Sequence, residues 1–192
     1  MGDSKMDISL LKVKNRWEEL VDTAIERMLE EGAFSCSCGK CRADVGAIAL
    51  NSLPPDYVPV GVGAAEAAST GEDELQHRLS QAEAAVRRAL DLVKQAPLHS
   101  GASEPVLVNP NEDLVRTVLA DVLAHQKEEQ WSALQLAWAL AYSLRELPPK
   151  YTTTPKGEAY ARADEIQPSA VAQVLVSVHS SLQRVKAEVS GA

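Results

Sequence analysis

Positive charge is scarce in this chain. Its 19 Lys and Arg stand against 27 Asp and Glu, a net −8 at neutral pH. That balance argues against a broad nucleic-acid footprint and against attachment to a membrane through a basic face. Cysteine is scarcer still: there are three, all between Cys36 and Cys41. A disulfide framework would spread its cysteines along the chain, so this spacing points to a metal instead. Long apolar runs are missing too. The most apolar, Leu134 to Leu144, has 11 residues, against the roughly 20 that a membrane-spanning helix needs. Met1 to Asp7 is charged and lacks the apolar stretch of a secretory leader. No alternating run is long enough for a convincing strand, beyond a short extended segment at Val106-Leu107-Val108. A soluble, cytoplasmic, all-α protein is expected.

What is present is a repeat. Glu18-Glu19-Leu20-Val21-Asp22-Thr23 is answered 94 positions on by Glu112-Asp113-Leu114-Val115-Arg116-Thr117. At the same offset, Leu53-Pro54-Pro55-Asp56-Tyr57 is answered by Leu147-Pro148-Pro149-Lys150-Tyr151. A constant offset across a helix and its terminating turn reads as an internal duplication. The chain therefore divides into a first unit at 8–95, a proline-containing linker at 96–111 and a second unit at 112–188. Units of roughly 80 residues are near the size at which a lone core is marginal, so the two are expected to pack on each other.

Helical periodicity predicts elements over 8–31, 42–52 and 72–95 in the first unit, ending before prolines or at Gly32. In the second it predicts 112–127, 130–146, a short helix near 158–164 and a last one over 168–188. Leu75, Leu79, Ala82, Val86, Ala89, Leu90 and Val93 form the inward stripe of 72–95; Val171, Val174, Leu175, Val178, Leu182 and Val185 form that of 168–188. Trp17, Trp131 and Trp138 lie on helical faces, where packing is the commoner use.

Cys36, Cys38 and Cys41 flank Gly39 and Lys40 in Cys-Ser-Cys-Gly-Lys-Cys. Glycine permits a tight knuckle, lysine favours thiolates, and thiolates in a reducing cytosol select zinc. Zinc wants four ligands and the chain has only three sulfurs; His77, His99, Asp44, a water or another chain are all open as the fourth. The second unit carries Gln130, Ser132 and Gln135 at the aligned positions and builds the same helices without a metal. A structural knot therefore fits better than a catalytic zinc, for which no nearby glutamate stands as a base. A thiol redox switch is a third reading.

After the second Pro-Pro turn the chain runs Tyr151-Thr152-Thr153-Thr154-Pro155-Lys156-Gly157-Glu158. Hydroxyls, a lysine and a glycine ahead of a helix suit a phosphate; surface loops of the same composition are common, and both Tyr57 and Tyr151 could instead cap the core. Arg42-Ala43-Asp44 and Arg162-Ala163-Asp164 pair a phosphate- or guanine-reading arginine with an acceptor for guanine's N–H groups. Exposed helix charges are the plainer account of both.

The pattern Cys-x-Cys-x-x-Cys-Arg-x-Asp-Val-x-Ala-x-Ala-Leu-Asn-x-Leu-Pro-Pro-x-Tyr-Val, from Cys36 to Val58, resembles the late competence protein ComFB family. The second unit resembles the same domain with its cysteines replaced, and it keeps the Lys156-Gly157-Glu158 segment that the first lacks. The resemblance implies a small, helical, zinc-binding domain that forms homodimers, found in bacterial receptors for cyclic di-GMP. It implies here two ComFB-like repeats folded as a pseudo-twofold intramolecular dimer, monomeric as a chain, with a zinc knuckle in the first. The function it implies is non-enzymatic signalling: cyclic di-GMP bound through Tyr57, Tyr151, Thr152, Thr154, Lys156, Arg42, Asp44, Arg162 and Asp164, and relayed to a protein partner. The rival reading is a zinc-stabilised adaptor whose nucleotide site has decayed.

Overall fold

The computed structural model describes residues 7–36, 38–61, 71–95, 105–126, 130–165 and 167–190. Among them are seven α-helices and two short strands. The first helix, α1 (Trp17–Glu30), starts later than its periodicity predicts. Residues Ile8–Leu10 form a 3-10 turn, held by Asp7 accepting from the Ser9 N–H at 2.9 Å, and Val13–Asn15 is a strand, β1. Tertiary pairing outweighs helical pattern here: β1 lies antiparallel to β2 (Tyr57–Pro59), with Asn15 opposite Tyr57. Buried Asn15 then accepts from the Trp17 N–H at 3.2 Å, satisfying one of the free N–H groups at the start of the helix.

At its other end α1 stops as expected at Gly32, whose φ of 71° is left-handed. The Gly32 N–H donates to Leu29 O at 3.0 Å and the Ala33 N–H to Met28 O at 2.9 Å, the paired bonds of a Schellman stop. The next helix, α2 (Gly39–Asn51), begins inside the cysteine segment rather than after it, with Cys38 as its N-cap and Cys41 buried in its first turn. A helix, α3 (Glu72–Gln95), completes the first unit. Trp17, Val21, Ala24, Ile25 and Met28 of α1 pack with Val45, Ala49 and Leu50 of α2 and with Ala82, Val86, Ala89 and Leu90 of α3.

The second unit repeats this plan with α4 (Asn111–His125), α5 (Ala133–Arg145) and α7 (Pro168–Ser190), joined by the extra helix α6 (Pro155–Glu165). In the expected linker, Val108 is bridged to Thr152 by two backbone bonds of 3.1 and 2.8 Å and Pro110 turns into α4; residues 96–104 lie outside the described set. A capping box of Ser132 and Gln135 opens α5. That helix is apolar nearly all round because it is covered by α4, α7 and β2. Thr154 caps α6, its hydroxyl accepting from the Gly157 N–H at 3.0 Å.

Three side chains expected inside are not. Leu75 is 42% exposed, Val171 40% and Leu175 41%. In their place Ser177 and Ser181 join Val174, Val178, Leu182 and Val185 on the buried face of α7. Each core also contains a tyrosine from the other unit: Tyr151 sits among the residues of α1, α2 and α3, and Tyr57 among those of α4, α5 and α7.

Candidate functional site

The Sγ atoms of Cys36, Cys38 and Cys41 lie within 4.8 Å of one another, and none is in a disulfide. Sulfurs around a tetrahedral zinc, each at about 2.3 Å, stand roughly 3.8 Å apart, so the cluster fits a metal ion with small adjustments. The start of α2 adds a favourable dipole for thiolates. Burial, then the hydrogen bonds and charges of Cys38 and Cys36, push the Cys41 thiol up to about 12. A metal bound here must displace that proton. No His, Asp or Glu joins the three sulfurs among the described residues. Of the candidate fourth ligands, His77 is exposed on α3 with Gln81 at 3.1 Å, Asp44 pairs with Lys40, and His99 lies outside the described residues. Lys40 also donates to Thr153 at 3.1 Å, so the cysteine-bearing helix of one unit holds the Thr-rich loop of the other.

A second constellation fills the seam between the units. Tyr57 Oη and Tyr151 Oη are 3.1 Å apart. Tyr151 reaches Glu18 at 2.6 Å and receives the Asn15 amide at 3.1 Å. Tyr57 reaches Glu112 at 2.9 Å and receives the Asn109 amide at 2.9 Å. Each of these residues has its counterpart 94 positions away. Burial raises both tyrosines and both glutamates above their usual ranges, helped at Tyr57 by the charge of Glu112 and at Tyr151 by those of Tyr57 and Glu18. The backbone of Tyr151 is clamped by Asn51, at 2.6 and 2.9 Å, and the Tyr57 carbonyl accepts from Arg145 at 2.7 Å.

Beside this network opens a cleft of about 320 Å³. Val13 of β1 and the stretch from Leu107 to Pro110 line it, and Glu18, Glu112, Asp113, Tyr151, Glu158, Lys14 and Arg162 face it. Four carboxylates thus meet two cations, and Arg162 is already paired with Asp113 at 2.9 Å and Glu158 at 3.0 Å.

A family model described as Late competence development protein ComFB matches residues 14–97 and again residues 108–188. The chain belongs to the ComFB family. It carries two tandem ComFB repeats, and the second match takes in the Val108 bridge and Asn109. No curated protein and no solved structure matches the chain.

Among the described residues singled out for a nucleotide, Tyr151 and Arg162 line the cleft. Tyr57 is wholly buried. The Thr152 backbone pairs with Val108 and its hydroxyl is buried without a partner, while Thr154 is the α6 cap. Lys156 is exposed, its ammonium 5.9 Å from the Tyr160 ring. Arg42 pairs with Glu26 and Asp44 with Lys40 and Thr153, both away from the cleft wall. The Asp164 side chain lies outside the described residues. The residues that sequence reasoning passed over are Asn15, Asn109, Glu18 and Glu112. Their signal was available: the offset of 94 carries Asn15 onto Asn109 and Glu18 onto Glu112.

Among the described residues no helix is long and apolar enough to cross a membrane.

Proposed function

We propose that this ComFB protein is a non-enzymatic cytoplasmic receptor for cyclic di-GMP, its two repeats standing in for the two subunits of a dimer and its first repeat held by zinc at Cys36, Cys38 and Cys41. The observation that supports the reading is the seam cleft. It is built from both repeats, which suits a ligand with two guanine bases, and it offers carboxylate acceptors at Glu18 and Glu112 beside the guanidinium of Arg162. Zinc would fix the start of α2, and Lys40 and Asp44 would carry that order to the Thr152–Thr154 loop and α6, where Lys156 and Arg162 stand. Binding would be passed on to a protein partner.

Calorimetric titration with cyclic di-GMP, against cyclic di-AMP and GTP as controls, tests this directly. Micromolar or tighter binding is expected, and Arg162→Ala should weaken it about tenfold or more, as loss of a charge-assisted hydrogen bond does. A flat titration for the zinc-loaded chain would remove the receptor reading. One observation favours the rival, a zinc-stabilised adaptor without a nucleotide: the cleft's carboxylates outnumber its cations, and a phosphodiester binding Arg162 competes with Asp113 and Glu158 for it. The flat titration is the adaptor's expected result.

A further inference from the structure

Four oxygens stand in a row across the seam. Glu18 Oε1, Tyr151 Oη, Tyr57 Oη and Glu112 Oε1 follow one another at 2.6, 3.1 and 2.9 Å. At such distances each pair of oxygens is attractive only with a proton between them. Three contacts need three protons.

The amides cannot supply the missing one. Asn15 Oδ1 accepts from the Trp17 and Asp56 N–H groups at 3.2 and 3.1 Å, so its Nδ2 must be the atom that donates to Tyr151. Asn109 is fixed likewise: its Oδ1 accepts from Asn111 and Lys150 at 3.4 and 3.2 Å, and its Nδ2 donates to Tyr57. Each phenol oxygen therefore already receives one N–H, has one proton to give, and has one further contact to satisfy. Two phenols give two protons. Were both glutamates ionised, either the two phenol oxygens or one phenol and its carboxylate would face each other bare, in a site where an unsatisfied polar pair is costly.

We propose that Glu18 and Glu112 hold one proton between them, and that this proton, relayed through Tyr57 and Tyr151, locks the two repeats together. With the proton on Glu112, that carboxyl donates to Tyr57, Tyr57 to Tyr151, and Tyr151 to the Glu18 carboxylate. The 2.6 Å contact at Glu18 has the length of a hydroxyl on an ionised carboxylate, which assigns the charge to that end. If each of the three protons moves one oxygen along, the proton ends on Glu18 and the charge on Glu112. No atom is gained or lost, and the pair keeps a charge of minus one throughout.

The surroundings work mostly in the same direction. Burial raises Glu18 first of all, and Asp22 and Glu19 of α1 add to it, while the Tyr151 hydrogen bond and Lys14 of β1 oppose. Burial likewise leads at Glu112, with Glu18 and Asp113 adding and the Tyr57 hydrogen bond and Arg116 of α4 opposing. From α6, Arg162 and Glu158 face the same cleft, but Arg162 is shared between Glu158 and Asp113. A carboxyl raised in the folded protein adds stability that is fully present below its unfolded value and is lost as pH rises through its folded value. The lock therefore weakens with rising pH. It needs no nucleotide and no metal, so its titration is read on the ligand-free chain, apart from any nucleotide binding.

The test is a carboxyl-carbon NMR titration of the full chain labelled at glutamate Cδ. One of the Glu18–Glu112 pair should hold its proton to a pH well above that of the exposed glutamates. If both lose their protons along with the exposed set, the proposal is wrong. Thermal melts across the same pH range give the second readout, with Glu112→Gln as the variant, because its amide donates to Tyr57 at every pH. Wild type should lose melting temperature as pH rises through the raised titration, and the glutamine variant should lose less. Equal losses would overturn the lock, and if the variant does not fold the NMR titration of wild type still decides.

Discussion

Tyr57 and Tyr151 contribute their rings to the neighbouring repeat and their hydroxyls to the seam, and the two contributions can be separated. In Tyr57→Phe the ring still fills the core of α4, α5 and α7, but the Asn109 amide and Glu112 lose their common partner. Leaving buried polar groups unpaired costs about 1–3 kcal/mol, and urea denaturation should show a loss of that size. Tyr142→Phe is the control, since that hydroxyl reaches Glu188 on an exposed stretch of α7 at 3.2 Å; its cost should be about 1 kcal/mol or less. Equal costs for the two would mean that the seam network does not hold the fold. Both tyrosines thus cap a core, one of the two readings that the sequence left open, the other being a ligand contact. An aromatic after a Pro-Pro turn has no pattern of its own to mark it as core, because the core it enters lies in the other repeat.

Elements with strong periodicity were legible, and those made by distant pairing were not. The bounds of α3 match its apolar stripe, and the Gly32 stop of α1 follows from a glycine placed just past the last turn. The strands could not be read, since three residues are too few to alternate and β1 acquires its conformation only from β2, more than 40 residues on. Stripe positions failed at Leu75, Val171 and Leu175. At about 1.5 Å per residue, α3 is roughly 36 Å long and α1 roughly 21 Å, and Leu75, in the first turn of α3, is 42% exposed. The Pro-Pro turn of the first repeat is anchored electrostatically, which its spacing gave no hint of. Asp56 accepts from Arg16 at 2.8 Å and Arg78 at 2.6 Å, and Arg145 of α5 lies 3.2 Å away. Burial works to raise Asp56, but the bonds from Arg16 and Arg78 outweigh it and hold the carboxyl below its usual range. A lowered carboxyl contributes stability above its unfolded value and loses it as pH falls through the folded one. Asp56→Asn should therefore destabilise the protein at neutral pH and by less in acid, so melts of variant and wild type converge as pH drops below about 4. A constant gap at all pH values would show that the carboxylate charge is irrelevant to the turn.

At the scale of the whole molecule, the exchange of tyrosines ties each core to the other repeat. Each repeat alone is close to the size at which folding is barely favourable. Neither can complete its core without a side chain from the other, because Tyr151 belongs to the first and Tyr57 to the second. The Asn51 clamp on the Tyr151 backbone, the Arg145 bond to Tyr57 and the Lys40–Thr153 contact add polar ties of the same crosswise kind. Two independent domains would unfold in separate steps, whereas linked cores should unfold in one. Tyr151→Ala puts this to the test, because the residue lies in the second repeat's sequence and the first repeat's core. Truncating a buried aromatic costs about 3–5 kcal/mol. If the repeats are one unit, hydrogen exchange in α1, α2 and α3 should speed up by the same factor as in α4, α5 and α7. Faster exchange confined to residues 17–95 would mean that the second repeat stands without the first, and that the seam is a contact between two separately stable bodies. A uniform loss of protection would mean that the covalent link has removed the option of folding one repeat at a time, so a change sensed at the seam reaches both ends of the molecule.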